Sequence, residues 1–181
     1  MDIKNVEIII PPREPHFVGD GFRVHNFIPS AYRLDMKRMD PFIMLDYNSK
    51  FNFPPSDEPK GVGVHPHRGF ETVTIAYKGK VTHLDSSGGG GTIGEGDVQW
   101  MTAGAGILHE EFHSDAFARV GGLMQMIQLW VNLPAKDKMN PARYQHLSHE
   151  AIPELELAQA QGTVRVIAGT YENQTGPAQT H

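Results

Sequence analysis

Two short stretches concentrate the residues that could do chemistry. The first is His65-Pro66-His67. On an extended backbone, residues i and i+2 point to the same face, so the two imidazoles converge on one spot. Pro66 favours extended geometry at His65 and donates nothing to a ladder, which suits a strand end or rim. Two neutral imidazoles at that spacing make half a site for a borderline ion such as iron, zinc, nickel, copper or cobalt. The bland alternative is two surface histidines beside a turn. The second stretch is Ile107 to His113, I-L-H-E-E-F-H, and it supports two incompatible readings. On a helix, His109, Glu110 and His113 fit H-E-x-x-H, the zinc-peptidase pattern in which Glu110 activates water. On a strand, His109 and Glu111 share a face, Glu111 becomes the carboxylate ligand and Glu110 points away. His113 lies further along that face by about 7 Å, too far for the same ion without a bend.

The elements that must position these residues are mostly strands. Glu71 to Tyr77 reads E-T-V-T-I-A-Y, with Val73, Ile75 and Tyr77 on one face and Thr72, Thr74 and Ala76 on the other. Similar runs predict strands at Val6–Ile10, Phe22–Phe27, Phe42–Tyr47, Asp97–Met101, Met124–Val131 and Thr163–Ala168. With 19 Gly and 13 Pro punctuating them, the pattern is that of an all-β sandwich or barrel. The glycines of G-A-G-I-L-H, Gly104 to His109, argue for a tight turn delivering His109 into a strand rather than a long helix carrying it. No Lys-Ser/Thr follows them, so they are no phosphate loop. Trp100, Met101, Phe53, Phe70, Phe112 and Trp130 are core candidates first and pocket walls second.

Composition narrows the chemistry. Cys is absent, which removes thiolate zinc sites, iron–sulfur clusters and Cys nucleophiles, while ten His remain. The formal charge of −5 argues against direct nucleic-acid binding. No run approaches the ~18–20 apolar residues of a membrane span, and the first residues do not read as a leader, so the cytosol is the expected compartment.

The stretches H-P-H-R-G-F-E-T-V-T (His65–Thr74), H-L-D-S (His83–Ser86), G-D-V-Q-W-M-T-A-G (Gly96–Gly104) and G-I-L-H-E-E (Gly106–Glu111) together resemble the pirin family of the cupin superfamily. The stretch L-W-V-N-L-P-A-K-D-K-M (Leu129–Met139) resembles the point where that family leaves its first barrel. The resemblance implies a cupin barrel of the double-stranded β-helix or jelly-roll type, holding one divalent transition metal on three His and one Glu. Carried onto this sequence, the ligands are His65, His67, His109 and Glu111. Iron is the expected ion, with zinc, nickel, cobalt, manganese or copper as alternatives. Glu71 stands where many cupins place a ligand and is read instead as a supporting or structural acid. His83 has the position of a residue that bonds a ligand from behind. The expected organisation is a metal-binding barrel over 1–132, a connection over 133–162, and from 163 the incomplete start of a second, truncated or vestigial barrel segment.

The implied activity is that of a quercetin 2,3-dioxygenase, opening a flavonol ring with dioxygen and releasing carbon monoxide, with Glu111 taking the substrate proton. The alternative is an iron-dependent redox sensor or transcriptional co-regulator acting through a protein partner.

Overall fold

Runs of alternating residues, each ended by Gly or Pro, build strands along the whole chain. The computed structural model describes residues 5–29, 34–158 and 161–181. The strands are β1 (His16–Val18), β2 (Phe22–Ile28), β3 (Phe42–Phe53), β4 (Gly61–His67), β5 (Phe70–Lys78), β6 (Val81–Asp85), β7 (Gly90–Ile93), β8 (Val98–Thr102), β9 (Ile107–His113), β10 (Gly122–Asn132) and β11 (Arg143–Leu147). Four short ones follow: β12 (Glu154–Glu156), β13 (Thr163–Arg165), β14 (Thr170–Tyr171) and β15 (Gln174–Thr175). Among the described residues, helix is confined to α1 (Met36–Met39), α2 (Asp115–Val120) and a 3-10 turn at His149–Ala151. None of these is long and apolar enough to cross a membrane.

Seven strands form one sheet in the order β1-β2-β3-β10-β5-β8-β11, and four form a second in the order β4-β9-β6-β7. Every pairing is antiparallel. Phe22, Val24, Phe53, Ala76 and Met126 of the larger sheet share one buried cluster with Val81 and Ile93 of the smaller. The two sheets therefore pack face to face, closing the jelly-roll barrel that the resemblance implies. A fully buried Val, Ile or Phe contributes about 1.5–3 kcal/mol, so this cluster is the main support of the barrel.

The alternation of β5 divides it between two buried clusters. Thr72, Thr74 and Ala76 are the buried interior face, while Val73 and Ile75 point outward. Outside, Val73 joins Val98, Trp100, Leu147 and Ile152, and Ile167, Ala168 and Ala178 pack against this second cluster. The threonine face lines the barrel interior because polar chemistry is assembled there.

Three expectations change. Val6–Ile10 is not a strand: Val6 and Ile9 are 79% and 84% exposed, and Pro11 and Pro12 follow them with no N–H to extend a ladder. Thr163–Ala168 shortens to β13, which pairs with β12. The stretch 133–162, read as a connection, carries β11, which pairs with β8 from Arg143↔Thr102 to Leu147↔Val98. Its sequence, R-Y-Q-H-L, is polar because an edge strand keeps one flank in water.

Candidate metal centre

Strand β9 lies between β4 and β6, and the pairing register brings the chemical residues side by side. His65 faces His109 across one ladder; His83 faces Glu111 and Asp85 faces His109 across the other. Along β9, Ile107, His109, Glu111 and His113 are buried and alternate with more accessible Leu108, Glu110 and Phe112. This overturns the helical H-E-x-x-H reading, and with it the zinc-peptidase alternative: Glu110 is on the opposite face from the imidazoles. The turn entering β9 is as tight as its glycines predict. The Gly106 N–H donates to the Ala103 carbonyl at 2.9 Å, and Gly104 sits at φ +50°, where a Cβ would meet the Asn140 carbonyl oxygen at 2.0 Å.

His65, His67 and His109 form one triad whose ligand atoms all lie within 4.8 Å of one another; His83, His109 and Glu111 form a second. The triads share His109. Glu111 thus joins the cluster through His109 and His83 rather than lying equally close to all three other expected ligands. The ring centroids of His65 and His67 are 4.3 and 4.7 Å from that of His109. Such crowding is tolerable only if the rings are neutral. Burial, reinforced by His109 and His65, lowers the pKa of His67 to about 4. Burial, with His65 and His83 adding to it, lowers that of His109 to about 3.

Hydrogen bonds fix which nitrogens carry protons. His65 Nδ1 lies 2.9 Å from the Gly63 carbonyl, an acceptor, so Nδ1 carries the proton and Nε2 the lone pair. Behind His109, Asp85 Oδ2 accepts from His83 Nε2 at 3.0 Å. His83 Nδ1 then has a lone pair; it receives the Gln99 amide at 3.4 Å and faces His109 Nδ1 at 3.1 Å. His109 Nδ1 must therefore be the donor. Its Nε2, buried and without a hydrogen-bond partner, presents a bare lone pair. Asp85 is suited to anchor the chain. Burial tends to raise its pKa, but hydrogen bonds from Ser87, His83 and the Ser87 and Gly89 N–H groups outweigh this and hold the carboxyl below its usual range.

Glu111 is clamped by two amides, Gln99 Nε2 to Oε1 at 2.7 Å and Gln128 Nε2 to Oε2 at 3.1 Å. Neither glutamine stands out in the sequence. Each is a polar residue at an inward strand position, a signal that alternation carries only once the inward face is known. His83 is the supporting residue that its sequence position implies. His113 is remote from the cluster: its Nε2 donates to the Gly21 carbonyl at 2.8 Å, and Phe22, Phe53 and Phe117 surround its ring. Glu71 is buried on the outward side of β5 and accepts from Thr102 Oγ1 at 2.6 Å, which makes it structural.

The cluster opens onto a cavity of about 540 Å³. His65, His67 and Glu111 form part of one wall; Met44, Met126 and Trp130 belong to the facing sheet. His67 packs edge-on against both Trp130 and Phe70, at 5.0 Å each, which sets its ring plane. His83 does not line the cavity and stays behind His109. Neutral imidazoles with aimed lone pairs, an unpartnered buried Nε2 and a clamped carboxylate fit a transition-metal ion.

Comparison with known proteins identifies the family to which the barrel belongs. The Pirin family model matches residues 21–131. A Pseudomonas aeruginosa protein named as a candidate quercetin 2,3-dioxygenase is 55% identical over 166 residues, 92% of this chain and 57% of that protein. A pirin-like protein of Caulobacter vibrioides is 41% identical over 165 residues, 91% of this chain and 56% of its own. The crystal structure of a quercetin 2,3-dioxygenase from Acinetobacter baumannii superposes with a TM-score of 0.88 at 57% identity, covering 94% of this chain and 59% of that one. This chain therefore spans a little over half the length of these relatives. The barrel, the histidine cluster on β4 and β9, and the family match over most of the barrel make this chain a member of the pirin family, with the cupin fold.

Proposed function

We propose that the chain is a flavonol dioxygenase of the quercetin 2,3-dioxygenase type, acting in the cytosol on a small aromatic substrate and dioxygen. Its metal, with iron the expected ion, is held by His65, His67, His109 and Glu111. The observation that carries this reading is the junction of the cluster with the cavity: His65, His67 and Glu111 line the same apolar space that would take the substrate. The proposed organisation is a first barrel built from 1–132 and completed by the edge strand β11, with the opening of a second barrel from 163.

A bound ion supplies Lewis acidity toward the substrate's 3-hydroxyl and neighbouring carbonyl, and redox chemistry toward dioxygen. The protein's own groups do the rest. The apolar wall holds the flat ring system and excludes water. Glu111 takes the 3-hydroxyl proton, its other contacts kept by Gln99 and Gln128, and a base of this kind contributes about 100–10,000-fold. Overall, one flavonol and one dioxygen give one carbon monoxide and one phenolic ester: both dioxygen atoms enter the ester, and the carbon monoxide takes away C3 with its hydroxyl oxygen.

The test is metal analysis of protein purified without added metal, followed by quercetin turnover with dioxygen uptake and carbon monoxide release. Near one ion per chain with turnover is expected. Glu111→Gln should then lower turnover at least about 100-fold while circular dichroism keeps the β signature. Stoichiometric metal without turnover would favour the redox-sensor reading, and absence of metal would sink the site.

A further inference from the structure

The cavity has a second polar pole, facing the metal cluster from the other sheet. Strand β3 turns Met44, Asp46 and Asn48 into it, and β10 turns in Met126, Gln128 and Trp130. Cross-strand pairing sets Met44 beside Trp130, Asp46 beside Gln128 and Asn48 beside Met126. Since Trp130 packs on His67 and Gln128 bonds Glu111, Asp46 is one side chain away from the cluster. Asn48 is two residues further along, about 7 Å, at the end of the cavity away from His67.

Both offer acceptors in a wall whose other residues from β3 and β10 are Met44, Met126, Trp130 and the amide Gln128. Asn48 is 4% exposed, and its Oδ1 is buried with no hydrogen-bond partner among the described residues. Asp46 is 8% exposed; its Oδ1 accepts from Asn26 Nδ2 at 2.5 Å, and its Oδ2 takes no hydrogen bond from any described residue. Burial raises the Asp46 pKa against the opposing effects of the Asn26 hydrogen bond and His16, in keeping with its dry surroundings. For Asn48, a buried acceptor left unpaired is destabilising, and a position that served packing alone would be apolar.

We propose that Asp46 and Asn48 form a hydroxyl-reading subsite on the wall facing the cluster, which accepts hydrogen bonds from ring hydroxyl groups of an aromatic ligand. This rests on the flavonol reading and narrows it to polyhydroxylated members of that class. A ligand with the same chelating 3-hydroxyl and 4-carbonyl but no ring hydroxyls leaves both acceptors bare and is discriminated against.

Quercetin and 3-hydroxyflavone differ in this way. Anaerobic titration of the full metal-loaded chain with each, read by tryptophan fluorescence quenching, should show quercetin bound about tenfold or more tightly. Asp46→Asn keeps the shape, leaves Oδ1 for Asn26 and replaces the cavity-facing acceptor with a donor. It should cost most of that preference while 3-hydroxyflavone affinity stays within about twofold. Asn48→Leu should do the same independently, and unchanged 3-hydroxyflavone binding shows that each variant is folded. Equal affinities in the unmodified protein, or equal weakening of both compounds in the variants, would overturn the subsite while leaving the flavonol site standing. Binding of neither compound to the unmodified protein would overturn both.

Discussion

His109 is held from behind as firmly as from its sides, and the direction of the hydrogen bonds reaching it matters more than their number. Asp85 Oδ1 is saturated by Ser87 N, Ser87 Oγ and Gly89 N, leaving Oδ2 for His83. In Asp85→Asn the amide oxygen stays with those three donors and the amide nitrogen turns toward His83. His83 then has to accept at Nε2 and donate at Nδ1, which forces the His109 proton onto Nε2. We predict a roughly 10–100-fold loss of metal affinity with all four expected ligands intact, measured by competition with a chromophoric chelator. Nitrogen-15 shifts of the His109 ring report the tautomer directly. Unchanged affinity together with a reversed tautomer would show that Nε2 of His109 is not a donor to the ion.

The strands β4, β9 and β6 turn sequence spacing into a site. H-P-H and H-E-E were legible as chemistry because period two places i and i+2 on one face, and Gly104 and Gly106 identified β9 as a strand. Asp85, Gln99 and Gln128 were not legible. Alternation says which residues share a face but not which face is inward, and on β5 the side carrying Val73 and Ile75 faces outward. The strand β11 was missed because an edge strand need not look apolar, and Val6–Ile10 was over-read because β-branched residues without a partner strand remain solvated. A position where β4 and β9 approach closely is Gly61, at the start of β4. A Cβ there would lie 2.2 Å from the Glu111 carbonyl oxygen and 2.6 Å from the Phe112 Cα. Both are backbone atoms, so Gly61→Ala has to push β4 away from β9. The expected result is a loss of about 1–3 kcal/mol in urea unfolding, accompanied by weaker metal binding. A fully stable variant with normal affinity would mean that the two strands tolerate separation.

For the whole molecule, the interior histidines govern acid stability. Burial lowers the pKa of His113 below its ordinary 6.5, outweighing its hydrogen bond to Gly21. Below pH 6.5 the unfolded chain binds a proton at this position that the folded chain refuses until its lower pKa is reached. The stability present above 6.5 is therefore lost as pH falls toward the folded value, and the slope then vanishes. In the metal-free protein, His67 and His109 add slope of the same sign down to about 4 and about 3. His113→Gln retains a donor for the Gly21 carbonyl and removes the titration. Below pH 6.5, the dependence of the urea midpoint on pH attributable to these three histidines should become shallower, by at most about one third. An unaltered slope would assign acid unfolding to other groups.

The chain of hydrogen bonds from Asp85 through His83 to His109 also has an electrical sense. Its far end is an anion whose side chain is fully shielded from solvent, and each bond passes electron density toward His109 Nε2. An ion held there sits on a donor that is more electron-rich than a free imidazole. For a redox-active metal this favours the higher oxidation state, so the reduction potential is depressed, and neutralising Asp85 would raise it. A redox-active ion in the barrel would thus have its readiness to give up an electron set by a residue that never touches it.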